Sequence, residues 1–266
     1  MKRPLYDLHI HTTASDGLLD PLEMLHIAHK KGLRGISITD HDTCAAYSPS
    51  LFEEASRLGI SLLTGIECST HYCGRPIHLL GYGVDTQHPA LCDLIAWHTQ
   101  RREDRNAAIL DRLRQLGMEI RIPEYRGQIG RPHIARALVE GGHVPSLKEA
   151  FRRYLGEGRK AYVEGERIEI ASTIDILHQA GGRVILAHPH LIRPHSLIEP
   201  LIALPIEGIE CHYGTFPEST NSRWIALCKE RGWHATGGSD CHGEGGAERM
   251  GRSGVGEEAF MALSGS

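Results

Sequence analysis

Residues 5–11 read Leu5-Tyr6-Asp7-Leu8-His9-Ile10-His11. A run so short and so apolar predicts a buried strand. Successive side chains of a strand point to opposite faces, so residues 7, 9 and 11 share one face, and His9 and His11 present two imidazoles to one point. Six further runs have the same character, at 35–39, 61–66, 77–81, 184–187, 207–211 and 234–238. They are punctuated by Gly and partly continuous, as strands of a parallel sheet covered on both faces should be. Helical patterns lie between several of them. In 21–30, Asp20 is the expected N-cap, Pro21 the first helical residue and Gly32 the residue just past the end. Residues 51–58 and 220–231 read the same way. Strand then helix, repeated about seven times, predicts an α/β fold closed or nearly closed into a (β/α) barrel.

The rhythm breaks once. No strand-like run of this kind occurs between Gly83 and Val184. Residues 97–116 form an arginine-rich amphipathic pattern with Ile109, Leu110, Leu113 and Leu116 on one face, and 131–140 and 147–155 read as shorter helices. Residues 100–165 are therefore expected to be an inserted small helical cap, with 1–99 and 166–266 forming the barrel. A last helix is expected near 257–263.

The chemistry-bearing residues recur at strand ends. After His9 and His11 comes Asp16, in Ser-Asp-Gly; the second strand ends in Asp40-His41-Asp42 and the third in Glu67. The fourth carries His78, a later one ends in His188-Pro189-His190, and the last in Asp240-Cys241-His242. Barrel enzymes place their reacting groups at the C-terminal ends of strands. Imidazole and carboxylate together suit Mn, Fe or Zn. The nine candidates His9, His11, Asp16, His41, Glu67, His78, His188, Asp240 and His242 exceed the needs of one ion. They would serve two to three divalent ions, most naturally Mn, with Glu67 or Asp240 bridging. Cys241 points to the other face of its strand and reads as packing.

Net charge is −4, so no bulk positive field argues for long nucleic acid. Seven cysteines without a CxxC pair, and no leading signal peptide, point to a reduced, cytoplasmic compartment. No apolar run approaches the ~20 residues that cross a bilayer, and no required protein partner is evident.

Read in order, Asp-Leu-His-Ile-His-Thr with Ser-Asp-Gly, Thr-Asp-His-Asp-Thr, Gly-Ile-Glu, Ile-His-Leu-Leu-Gly-Tyr, Ala-His-Pro and Gly-Ser-Asp-Cys-His resemble the motif series of the polymerase and histidinol phosphatase (PHP) family. The resemblance spans residues 7 to 242. It implies a distorted (β/α)7 barrel and a two- or three-metal phosphoesterase site. It implies that His9, His11, Glu67 and Asp240 hold one metal, that Glu67, His78 and His188 hold a second, and that Asp16, His41 and His242 hold a third. Some relatives have His in place of Asp16. Within the family, Gly130-Arg131-Pro132-His133-Ile134-Ala135 and Gly158-Arg159-Lys160-Ala161-Tyr162-Val163 resemble the branch related to 3′,5′-nucleoside bisphosphate phosphatase and to exonucleases of short RNA.

The expected activity is hydrolysis of the 3′-phosphate of a 3′,5′-nucleoside bisphosphate, such as adenosine 3′,5′-bisphosphate, by metal-activated water. Asp16, His41, Asp42 and Glu67 form the expected catalytic set. Arg131, His133, Lys160, His190 and His212 are the expected substrate contacts, since Arg forks onto phosphate and Lys supplies point charge. Asp40 and Asp42 are expected to orient metal-held histidines or move a proton. Arg101, Arg102 and Arg105 read as a solvated helix face. The alternatives are a histidinol-phosphate phosphatase, a 5′-3′ exonuclease on short RNA, or a non-catalytic PHP module that stabilises a partner.

Overall fold

The computed structural model describes residues 5–122, 127–214 and 218–265. Seven strands form one sheet in sequence order: β1 (Tyr6–Ile10), β2 (Gly35–Ile38), β3 (Ser61–Tyr72), β4 (Arg75–Tyr82), β5 (Arg183–Leu186), β6 (Gly208–Tyr213) and β7 (His234–Gly238). Every residue of β1 and β2 is buried, which is why these strands read as continuous apolar runs. Beyond β7 the chain reaches back to β1. Asp240 N–H donates to His9 O at 2.8 Å and His11 N–H to Cys241 O at 2.9 Å. The fold is a nearly closed, distorted seven-stranded α/β barrel.

The first helix, α1 (Pro21–Lys30), ends as its sequence demands. The Asp20 carboxylate accepts the Glu23 N–H at 2.8 Å, the Glu23 carboxylate accepts the Asp20 N–H at 2.9 Å, and Gly32 follows at φ 73°. α2 (Pro49–Leu58) is capped by Ser48.

The expected alternation of strand and helix fails between β3 and β4. Tyr72 pairs with Arg75 across a two-residue turn, with Cys73 at φ 49° and Gly74 at φ 74°. Two positive φ angles match the tight hairpin turn favoured by strand twist, and Gly74 adopts that conformation without strain. β4 therefore runs antiparallel to both β3 and β5, while the other neighbours pair in parallel. His78 accordingly sits in the first half of its strand and not at a C-terminal end. Reversing the strand carries its early residues to the side where its parallel neighbours end.

The chain divides into two compact units, Met1–Ile95 with Ile168–Ser266, and Ala96–Arg167. The barrel unit also contains α6 (Ile170–Gln179), α7 (Ile198–Leu201), α8 (Glu218–Arg231), α9 (Glu244–Ala247) and α10 (Glu257–Ser264). The short last helix buries Phe260 and Leu263 with Tyr6, Leu8 and Tyr82, and the Phe260 ring stacks on Tyr6 at 4.2 Å.

α3 (Pro89–Gln115) is longer than its amphipathic pattern suggested. With α4 (Arg131–Glu140), α5 (Leu147–Ala150) and a π-helical turn (Phe151–Leu155), its later residues build the second unit's own core of Ile109, Leu113, Ile134, Leu138 and Leu155. Leu116, expected on that apolar face, lies past the end of α3 and is 44% exposed. Arg101, expected in solvent, is buried. Its guanidinium lies over the Trp97 ring at 5.3 Å and donates to Glu166 O at 3.0 Å, so the long stem packs along an aromatic face while the head is satisfied by backbone. Among the described residues, no helix is long and apolar enough to cross a membrane.

Candidate metal centre

His9 and His11 leave the end of β1 fully buried. Asp16 lies in the next loop, which is held by Asp40. The Asp40 carboxylate accepts the Thr12 N–H at 2.7 Å, the Thr12 hydroxyl at 2.6 Å and the Ser15 hydroxyl at 2.5 Å. These contacts orient the loop that carries Asp16.

Glu67, midway along β3 and fully buried, is the hub. Its Oε2 lies 3.1 Å from His9 Nε2, 3.2 Å from His11 Nε2 and 3.3 Å from His41 Nδ1. Its Oε1 lies 2.7 Å from His78 Nδ1 and 2.9 Å from His188 Nε2. Asp240 Oδ1 is 3.1 Å from His11 Nε2, and Asp16 Oδ1 is 3.3 Å from His242 Nε2. By mutual distance the side chains fall into three overlapping groups: His9, His11, Glu67 and Asp240; His41, Glu67 and His78; and His11, Asp16, His41 and His242. His188 stands outside all three but shares Glu67 Oε1 with His78.

The spacing fits divalent ions. Bonds of about 2.0–2.2 Å to one ion place neighbouring ligand atoms about 3.0–3.4 Å apart. His9 Nε2 and His11 Nε2 are 3.1 Å apart. The electrostatics agree. Burial disfavours charge on His11, yet Asp240 and Glu67 outweigh it and raise its pKa to about 10. Burial likewise opposes charge on His9, and Glu210, Glu67 and Asp240 overcome it, holding its pKa well above the usual value. Burial would raise Glu67 and Asp240, but the surrounding imidazoles hold both well below the usual carboxylate range. The carboxylates thus hold negative charge among the imidazoles, a setting that favours a bound cation. His41 differs: burial pushes it down to about 4, leaving it neutral and able to ligate.

The backbone is strained here. Asp42, His188 and Asp240 have φ of 57°, 27° and 50°, a region residues other than Gly rarely adopt unless the surroundings hold them there.

The sequence profile of the PHP domain matches residues 7–165, more than half of the chain. The chain belongs to the PHP domain family. Among PHP relatives, it is 35% identical to the 5′-3′ exoribonuclease Rnm of Escherichia coli K12, over 90% of this chain and 85% of that protein. It is 32% identical to the 3′,5′-nucleoside bisphosphate phosphatase of Chromobacterium violaceum, over 91% and 89% of the two chains. A solved structure from Bifidobacterium adolescentis, assigned as a metal-dependent phosphoesterase, matches with a TM-score of 0.86 at 28% identity, covering 97% of this chain and 94% of that one. The PHP chain is a metal-dependent phosphoesterase, and so a hydrolase.

The other residues singled out in the sequence lie outside the three groups of the PHP centre. The Asp42 carboxylate accepts the Ser69 N–H at 2.6 Å. His190 is buried in the short helix after His188, its ring stacked on Tyr213 at 6.2 Å. His212 is half-buried in β6, where the register with β7 shifts. In the helical unit, Arg131 lies over the Tyr162 ring at 5.8 Å, His133 Nδ1 accepts the Gly130 N–H at 3.0 Å, and Lys160 is exposed.

The sequence reading missed Glu210. It is fully buried in β6, with Oε1 2.9 Å from His9 Nδ1. The available signal was a carboxylate inside an otherwise apolar strand, which is rarely buried without a partner. The Tyr213 hydroxyl donates to Asp240 Oδ2 at 2.7 Å.

Proposed function

We propose that the centre removes the 3′-phosphate from 3′,5′-nucleoside bisphosphates, releasing a 5′-nucleotide and phosphate. The reading rests on Glu67, whose two oxygens face two different sets of imidazoles, as expected of a carboxylate shared between two ion positions. His9, His11 and Asp240 would complete one position with Glu67; His78 and His188 the second; Asp16, His41 and His242 a third. Divalent ions held there, Mn foremost and Fe or Zn in its place, supply Lewis acidity toward the phosphoryl oxygens and lower the pKa of the attacking water. The chain's own part is to fix these ligands in a buried, preorganised array, so that little reorganisation remains when charge develops on the phosphoryl group. Neutral His41 suits ligation better than delivery of a proton to the leaving oxygen. In the helical unit, Arg131 and Lys160 would hold the phosphate that does not react.

The choice of a nucleoside bisphosphate draws on the Chromobacterium violaceum relative. A second reading, 5′-3′ exonucleolytic cleavage of short RNA, is favoured by the higher identity to the Escherichia coli relative. The test loads the protein with manganese and follows hydrolysis of adenosine 3′,5′-bisphosphate, the 3′- and 5′-monophosphates, a short 5′-phosphorylated RNA and histidinol phosphate. The bisphosphate should be cleaved best, with a substrate lacking the 5′-phosphate losing roughly tenfold to a hundredfold in kcat/KM, the worth of a charge-assisted hydrogen bond. Faster cleavage of the RNA selects the exonuclease reading. Faster cleavage of histidinol phosphate overturns both.

A further inference from the structure

Glu210 touches two parts of the centre that are remote in sequence. Its Oε1 is 2.9 Å from Nδ1 of His9, at the end of β1, and its Oε2 accepts the backbone N–H of His188, just past β5, at 2.7 Å. His9 belongs to the group built with His11, Glu67 and Asp240. His188 faces the other oxygen of Glu67, beside His78. One buried carboxylate therefore reaches the ligand sets on both sides of Glu67.

The chemistry of each contact is specific. An ionised carboxylate offers acceptors and no donor. When it accepts from Nδ1–H of His9, the ring proton resides on Nδ1 and the Nε2 lone pair faces Glu67, His11 and Asp240. When it accepts from the His188 amide, it holds a turn whose φ of 27° needs outside support. We propose that Glu210 is a positioning residue that sets the His9 tautomer and the His188 turn together, so that the ion positions on the two sides of Glu67 form as one unit. The inference rests on the multi-ion reading of the centre, and it goes beyond that reading by assigning a residue outside all three ligand groups.

Glu210→Gln discriminates. Glutamine keeps the shape but has one oxygen where two donors need acceptors. The proton of the His188 amide cannot move, whereas that of the His9 ring can. One oxygen cannot serve both donors: turned to His188, it leaves the NH2 group facing Nδ1 of His9 and drives the ring proton to Nε2, where it blocks ligation; turned to His9, it leaves the His188 amide facing NH2 and the turn unsupported. Manganese titrated calorimetrically into metal-stripped protein should bind at both positions with affinities lower by about tenfold to a hundredfold. In a separate activity assay, at a manganese concentration that no longer saturates the variant, kcat should fall more than KM rises. A merely structural carboxylate would lower the melting temperature while the folded protein bound manganese normally.

Wild-type stoichiometry and affinity in Glu210→Gln overturn the proposal. Loss of one ion with the other bound at full strength also overturns it, because the positions would then be independent. If Glu210→Gln does not fold, Glu210→Asp is titrated in the same way. It keeps both acceptors on a shorter stem and should weaken both positions together; unchanged affinity at either one overturns the proposal. Because the readout is metal binding without substrate, wild-type protein that binds manganese but cleaves no phosphate ester would sink the proposed function and leave this inference standing.

Discussion

Gly238, the last residue of β7, packs directly on His9: a Cβ added at Gly238 would lie 2.3 Å from the Cβ of His9 and 2.4 Å from its backbone nitrogen. Both clashing atoms belong to a buried strand that has no room to yield. Gly238→Ala should therefore push β1 from β7 and displace His9 from Glu67. Overpacking of this kind costs about 1–3 kcal/mol. We expect a lower melting temperature together with reduced metal content, measured by thermal unfolding and elemental analysis. Unchanged metal content in a folded variant would mean that β1 shifts without moving the His9 ring.

If Glu67 is shared between ion positions, as proposed, it should be among the most sensitive positions. The purified protein should bind at least two divalent ions per chain, and chelation should abolish hydrolysis. Glu67→Ala removes the anion that faces His9, His11, His41, His78 and His188. Losing several kcal/mol of charge stabilisation should lower kcat by more than about a hundredfold. Elemental analysis that finds fewer than one ion per chain in active wild-type protein contradicts the multi-ion centre.

The pH dependence follows from His11. In the metal-free protein, burial opposes its charge but Asp240 and Glu67 win, raising its pKa to about 10. A raised pKa stabilises the folded state fully below the unfolded value of about 6.5, and that stabilisation is lost as pH climbs to about 10. Metal-stripped protein should thus lose this contribution across that window. Ion binding runs the other way, because a ligand imidazole must give up its proton. Manganese affinity should rise over the same window and binding should release protons, seen by calorimetry in buffers of different ionisation enthalpy. Proton uptake on binding would reverse the sign and refute the argument.

Arg131 is partly buried, with its pKa lowered by desolvation. If it grips the phosphate that does not react, the contact exists in ground state and transition state alike. Arg131→Ala should then raise KM more than it lowers kcat, with metal content unchanged. Kinetics equal to wild type would assign the guanidinium to packing on Tyr162 and its bond to Leu155 O.

The seven strands, the Asp20 cap and the nine convergent side chains were legible because each is written locally. Apolar runs, cap spacing and His-x-His at a strand end depend on residues a few positions apart. The direction of β4 was less legible. Its turn is Cys73-Gly74, and with Cys at the first position it lacks the Asn-Gly or Asp-Gly pair that usually announces such a hairpin. Arg101 was misread because its charge implied solvent, while the partners that bury it, Trp97 and the Glu166 carbonyl, include one 65 residues away.

By itself, the sequence determined which side chains can meet metal and that strands present them, since residue chemistry and the two-residue period of a strand are local properties. Tertiary structure alone decided which candidate side chains lie within reach of one another, that the two oxygens of Glu67 face different imidazoles, and that Glu210 reaches His9 across 201 residues of chain. Those relations arise from barrel closure, which sets the distances between strands by backbone pairing and leaves no periodicity in the sequence that joins them.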